Sequence, residues 1–405
     1  MEKFYTYTLP NGIRGIHRAV RSDVAYCALI INAGTRDEQS DEHGLAHFTE
    51  HALFKGTEHR RAYHINCRLE NLGGELNAYT TKEETAIHAT VLRRDLPKAA
   101  ELIADIAFHS TFPEKELVRE REVVADEINS YKDSPADMIY DTFEDMLFEG
   151  SQLGHNILGR KTALKHYNTE RIKRFVGRTH TTDQMVFATV GNISDRRIRE
   201  IAERYFANVP ATQRSFERIA PAPFEPFEKS VVKHLHQAHC IIGNRAYSLS
   251  DERRLPLALL INTLGGPCAN SLLNIAVRER NGLTYNIEAS YTPYTDTGAT
   301  SIYFSSDRDK IDRCRELVAE QIDTLCRESL TARQLAIAKK QYMGQMAIAM
   351  ESREAYMLGN GKSFLIYNEI EPVEKVYERI AAITRDQIAE IANDIFGRTS
   401  TLIYK

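Results

Sequence analysis

The sequence predicts an α+β fold: two similar sandwiches of sheet against helices, joined by a proline-studded linker. Three observations predict it. Runs of alternating strand pattern are followed by runs of helical pattern, and the same order of elements occurs twice. Between the two rounds, residues 208–229 hold Pro210, Pro221, Pro223 and Pro226 among polar and aromatic residues, without either period. A length of 405 residues agrees, because one hydrophobic core seldom grows that far. The domains therefore read as 1–207 and 230–405, with 208–229 as the connection.

In the first round, "YTYTL", the turn "PNG" and "IRGIHRAV" read as a hairpin, and the apolar run "VAYCALIINAG" as a longer buried strand. Helical patterns follow over about 43–55 and 61–72, the second stopped by Gly73-Gly74. The stretch "ELNAYTTKEETAIHATVL" carries the period of two strands. Helices are predicted at about 95–109, 114–132, 135–148, 169–178 and 194–207, with a strand at "QMVFATVG" before the last. In the second round "VVKHLHQAHCIIGNRAYS" is strand-like, and "DERRLPLALLINTLGG" and "NSLLNIAVRER" are helical. Next, "LTYNIEASYT" and "GATSIYFSSD" read as strands. Helices at about 308–328 and 331–351, more helix to about 395 and a strand at "STLIYK" complete it.

Apolar residues at 42% and charged residues at 27% are ordinary for a soluble globular protein. A net charge of −4 and the lack of a basic tract argue against a nucleic-acid partner. No apolar run approaches a membrane span, so no membrane partner is expected. The six cysteines form no C-x-x-C pair, which favours a reducing compartment. The start "MEKFYTYTLPNGIRG" enters strand pattern without a charged lead or apolar h-region, so the expected location is cytoplasmic.

Chemistry concentrates in "DEHGLAHFTEHALFKGTEHR". On a helix, His47 and His51 point the same way and can present two imidazoles to one ion, with Glu50 beside them. Zinc accepts such nitrogens, and a catalytic zinc needs a third protein donor. The helix "ELVREREVVADEINSYK" offers Glu120 and Glu127, two turns apart on a face shared with Val123 and Val124. Carboxylates kept from water in this way should be paired or metal-bound. Glu122 and Asp126 fall on other faces and read as solvated. Without further residues a His-x-x-x-His pair is more often a solvated helix face; Glu50 and the acidic helix reverse that preference. A rival group, His234, His236 and His239, lacks a neighbouring carboxylate and divides between two faces of a strand. His43, His59 and His64 read as surface residues.

The H-x-x-E-H order is the inverzincin signature. With "LPNGIR", "AGTRDE", "GGELNAYT" and "LGGPCANSLLNIAVRERNGLTY", the chain resembles the pitrilysin, insulin-degrading enzyme and mitochondrial processing peptidase family, and most of all its short bacterial branch. The resemblance implies one zinc per chain on His47, His51 and Glu127, with Glu50 as general base and Glu120 orienting a ligand. It further implies that Asn77, Ala78, Tyr79 and Thr80 form a strand that adds an extended peptide, and that Arg278 and Tyr285 contact substrate near the scissile bond. Read alone, those last two are a helix-end cation and a strand aromatic. Four such domains close a chamber in this family and one chain supplies two, so a homodimer that hydrolyses peptides or unfolded segments is expected. The alternatives are a noncatalytic scaffold subunit of the same fold, or the catalytic subunit of a heterodimeric processing peptidase. Scaffold subunits commonly lose a zinc ligand or the base, whereas all four residues are present here. Gly265-Gly266 also matches poorly the longer glycine-rich loop of noncatalytic subunits.

Overall fold

The computed structural model describes residues 4–233 and 235–405. Strands β1 (Tyr5–Thr8), β2 (Arg14–Ala19) and β3 (Val24–Ile31) come first, followed by helices α1 (Leu45–Leu53) and α2 (Ala62–Glu70). Then come β4 (Glu75–Thr80), β5 (Thr85–Leu92), α3 (Leu96–His109), α4 (Glu114–Lys132), α5 (Pro135–Leu147), α6 (Lys161–Leu164) and α7 (Thr169–Thr179). Strand β6 (Met185–Gly191) and α8 (Asp195–Phe206) end the first round. The second contains β7 (Glu228–Val231), β8 (Ala238–Ala246), α9 (Arg254–Gly265), a π-helical turn at Asn274–Glu279, β9 (Ile287–Pro293) and β10 (Gly298–Ser306). Helices α10 (Ile311–Glu328), α11 (Ala332–Ala349), α12 (Arg353–Tyr367), α13 (Val373–Ala382) and α14 (Arg385–Phe396) precede β11 (Ser400–Tyr404).

One compact unit comprises 1–130, 155–218 and 348–372. Its six strands lie in the order β1-β2-β6-β3-β5-β4, with only β2 and β6 parallel. On one face Leu29, Ile87 and Phe187 pack with Phe48, Ile103 and Ile201 from the local helices. The other face, with Ile16, Ala28, Ile30 and Ala188, is covered by Met357, Phe364 and Leu365 of α12. Burial on both faces explains why β6 is apolar without alternation and fully buried.

The second unit comprises 131–154, 219–347 and 373–405. Its sheet runs β7-β11-β8-β10-β9, with β11 and β7 parallel. Cys240, Ile242 and Phe304 face Leu260, Val318 and Ile391 of the helices on one side. Ile241, Tyr303, Leu402 and Tyr404 meet Ile139, Phe143 and Leu147 of α5 on the other.

The units therefore exchange helices, which contiguous domains at 1–207 and 230–405 do not contain. Each sheet has two apolar faces and its sequence-local helices cover one, so the second is covered by a helix from the other half of the chain. The connection 208–229 has no regular structure until Glu228, where β7 begins, and its residues to Arg218 pack with the first unit. Two further expectations change. "NSLLNIAVRER" contains a π-helical turn, and Tyr285 sits in a bend ahead of β9 instead of inside a strand. No helix among the described residues is long and apolar enough to cross a membrane.

Candidate active site

Helix α1 is short, and its first turn is fixed from outside. Gly44 precedes it at φ +90, where a Cβ would stand 2.7 Å from the Cα of Gly159, so glycine is required by both conformation and space. The Glu38 carboxylate accepts the amides of Gly44 (3.0 Å) and Ala46 (2.8 Å), satisfying donors that a helix start leaves open. Burial pushes Glu38 up to about 8, although those amides pull the other way. Leu45, Phe48 and Ala52 enter the core, leaving His47 and His51 together on another stripe.

The two rings stand edge to face, 4.7 Å apart. His47 Nε2 is 3.8 Å from Glu127 Oε1, and His51 Nε2 is 3.6 Å from Glu127 Oε2. One ligand atom from each residue lies within 4.8 Å of the others, the single such group among the described residues. Burial, with help from His51, lowers His47 to about 4. Two imidazole nitrogens and a carboxylate oxygen converging in this way suit a cation of zinc's preference.

Glu120 Oε1 is 2.8 Å from His51 Nδ1, and Glu120 Oε2 takes Lys55 Nζ at 2.6 Å. Burial alone would depress His51, but this hydrogen bond and the surrounding carboxylates raise it. Glu120 is lowered because His51 and Lys55 outweigh its desolvation. The contact leaves His51 Nε2 turned toward Glu127, the arrangement in which a carboxylate fixes a ligating imidazole. The expectation that both glutamates share a dry face holds for half of it: Glu120 and Val124 are buried, while Val123 and Glu127 are exposed. Glu50 is half-buried, and burial raises its pKa with a contribution from Glu127. Thr80 and His51 oppose that rise, although the Thr80 hydroxyl does not reach a well-formed hydrogen bond.

Strand β4 packs beside α1 at the end of its sheet, and among the described residues its only strand partner is β5. Asn77 is exposed, and Ala78, Tyr79 and Thr80 are half-buried. In the second unit, the Arg278 guanidinium lies 5.3 Å from the centre of the Tyr285 ring, and Tyr285 is 84% exposed. His234 lies outside the described residues, His236 is exposed in a bend, and His239 is bonded to the Tyr303 hydroxyl at 2.9 Å. His59 and His64 are exposed as expected, but His43 is half-buried against His155, their rings 3.7 Å apart.

Residues 16–161, which contain all four motif residues, match the insulinase family of peptidases, M16, and residues 166–342 match the M16 inactive domain. The uncharacterized zinc protease YmxG of Bacillus subtilis is 31% identical over 393 residues, 96% of this chain and 95% of that protein. This chain belongs to the M16 family. An uncharacterized zinc protease of Streptomyces coelicolor is 29% identical over 98% of the chain and 88% of its own length. Among solved structures, a protease from Helicobacter pylori superposes with a TM-score of 0.92 over the whole of both chains, at 19% identity. The M16 inactive domain from Pseudomonas fluorescens gives 0.91 over 99% of this chain and 97% of that one, also at 19% identity. Within this M16 site, sequence reading missed Lys55 and Glu38. Lys55 carried a signal, since it follows His51 by one helical turn on the same face. Glu38 carried none, because its role depends on how a loop folds back.

Proposed function

We propose that this chain is a zinc-dependent endopeptidase that cleaves peptides and unfolded segments, working as a homodimer. The observation that supports it most is the convergence of His47, His51 and Glu127 with Glu50 beside them. His47, His51 and Glu127 would hold one zinc per chain, and Glu120 would keep His51 in the required tautomer. Zinc in such a site polarises a carbonyl and makes water acidic at neutral pH. Glu50, its pKa raised by burial, takes the proton of the attacking water and passes it to the leaving amine. The outer edge of β4 pairs with the substrate backbone, so extended chains are bound and side-chain identity matters less. Arg278 and Tyr285 hold the substrate carbonyl as negative charge grows on it. A reducing, cytoplasmic setting is part of this proposal, resting on the lack of a C-x-x-C pair among the six cysteines.

The test is metal analysis of the purified protein together with digestion of a mixed peptide library, cleavage positions being mapped by mass spectrometry. One zinc per chain and chelator-sensitive internal cleavage are expected. Protein without stoichiometric zinc that leaves the library intact would overturn this reading in favour of a scaffold subunit.

A further inference from the structure

Resting on that reading, we propose that Arg218 is a positioning residue that holds the metal-bearing helix α1 and the substrate edge β4 in mutual register. It lies well outside the motif, in the proline-studded connection, as the last residue of the first unit.

Its side chain is 8% exposed, and it grips the fully buried Asp37 with both arms: Nε to Oδ1 at 2.9 Å and Nη2 to Oδ2 at 2.8 Å. Nη2 also donates to the Glu83 carbonyl at 2.9 Å. Asp37 in turn accepts the Gly34 amide at 2.9 Å, which closes the turn Thr35–Asp37. That turn is bound to the end of β4. The Thr35 amide donates to the Thr81 carbonyl (3.1 Å), the Arg36 amide to the Lys82 carbonyl (2.8 Å), and the Arg36 guanidinium reaches Glu83 at 2.5 Å. The approach is so close that a Cβ on Gly34 would stand 2.4 Å from the Thr81 carbonyl oxygen.

On its other side the turn runs directly into Glu38, whose carboxylate receives the Gly44 and Ala46 amides at the start of α1. His47 follows immediately. The Arg218 guanidinium, joined by Arg178 donating to the Asp37 carbonyl at 3.1 Å, therefore braces one loop from which both halves of the site are hung, and it touches neither a proposed metal ligand nor the peptide edge. Arginine suits this position because its planar fork meets a carboxylate with two bonds and still has donors for a carbonyl. Methionine would fill the volume but leave Asp37 buried without its cation. Lysine would restore the charge but not the fork.

The experiment compares Arg218→Met, Arg218→Lys and Asp37→Asn with wild type. It measures zinc content, kcat and KM on an unfolded peptide, thermal midpoint, and amide hydrogen exchange. Expected for Arg218→Met are wild-type zinc content, a fall in kcat/KM of roughly 10- to 100-fold well below its midpoint, and faster exchange in residues 34–46 and 76–84 together. Arg218→Lys should recover part of both effects. Wild-type kcat/KM, or loosening confined to 211–218, would overturn the proposal. So would an activity loss that merely follows the fraction unfolded, with exchange raised everywhere. Should Arg218→Met not fold, the other two variants carry the same test. The exchange readout needs no catalysis, so an inactive wild type would count against the peptidase reading and leave the bracing to be judged separately.

Discussion

Glu120 is a buried charge that would serve the proposed site without binding its ion. It is held by His51 and Lys55, its pKa is lowered despite desolvation, and its contact with His51 Nδ1 leaves Nε2 turned toward Glu127. Glu120→Gln should therefore fold but bind zinc roughly 10- to 100-fold more weakly, read by competition with a chelating dye; wild-type affinity would refute the orienting role. Asp105 illustrates the purely structural case. It is buried, and although desolvation alone would raise its pKa, hydrogen bonds from His59, Arg60 and Thr57 bring it below the ordinary carboxylate value. Because the folded pKa lies below the unfolded one, its contribution is complete above the unfolded value of about 4 and disappears as pH falls through the folded one. Asp105→Asn should lower the thermal midpoint at pH 7, and the gap to wild type should narrow toward pH 3. A gap independent of pH would mean that the charge contributes nothing. At this scale the motif was legible because His47, Glu50 and His51 are local on one helix. Glu127 needed the resemblance, because its spacing from them reflects how α4 lies beside α1. Arg218 read as linker because a buried arginine and an exposed one look alike in sequence.

Among elements, the helices and strands follow their periodicities closely, and α4 begins and ends where its pattern does. The exchange of α5 and α12 was not legible. An apolar stripe says that a helix is buried, and nothing in it names the sheet that buries it. The contact made by α12 is close: a Cβ on Gly361 would come within 2.4 Å of Ile30 Cδ1 and 2.9 Å of Ala188 Cβ. Gly361→Val should overpack this interface and destabilise the first unit by about 1–3 kcal/mol, read from its unfolding midpoint. An unchanged midpoint would mean that α12 is held elsewhere. The π-helical turn that carries Arg278 was equally hidden, since the local sequence reads as ordinary helix.

For the whole molecule, the sequence repeats one plan twice, and the structure has one sheet of that plan in each unit. The proposed homodimer makes a prediction about activity in mixed assemblies. If the metal site of one chain works with Arg278 and Tyr285 of its partner, Glu50→Gln and Tyr285→Phe should complement each other. In a mixed dimer one site would have both groups intact while the other carries both lesions. Differently tagged, purified mixed dimers should regain a substantial part of wild-type activity. Mixed dimers no more active than either parent would exclude the arrangement in trans.

In the proposed mechanism Glu50 works as the base beside a metal held by His47, His51 and Glu127. This role is tested most directly by measuring zinc content and peptide turnover of Glu50→Gln and wild type in parallel. The amide occupies the same space, removes the proton acceptor and leaves the three proposed ligands in place. Unchanged zinc stoichiometry is expected, with turnover lower by roughly 10²- to 10⁴-fold. A Glu50→Gln protein that keeps its zinc and cleaves at the wild-type rate would contradict that role.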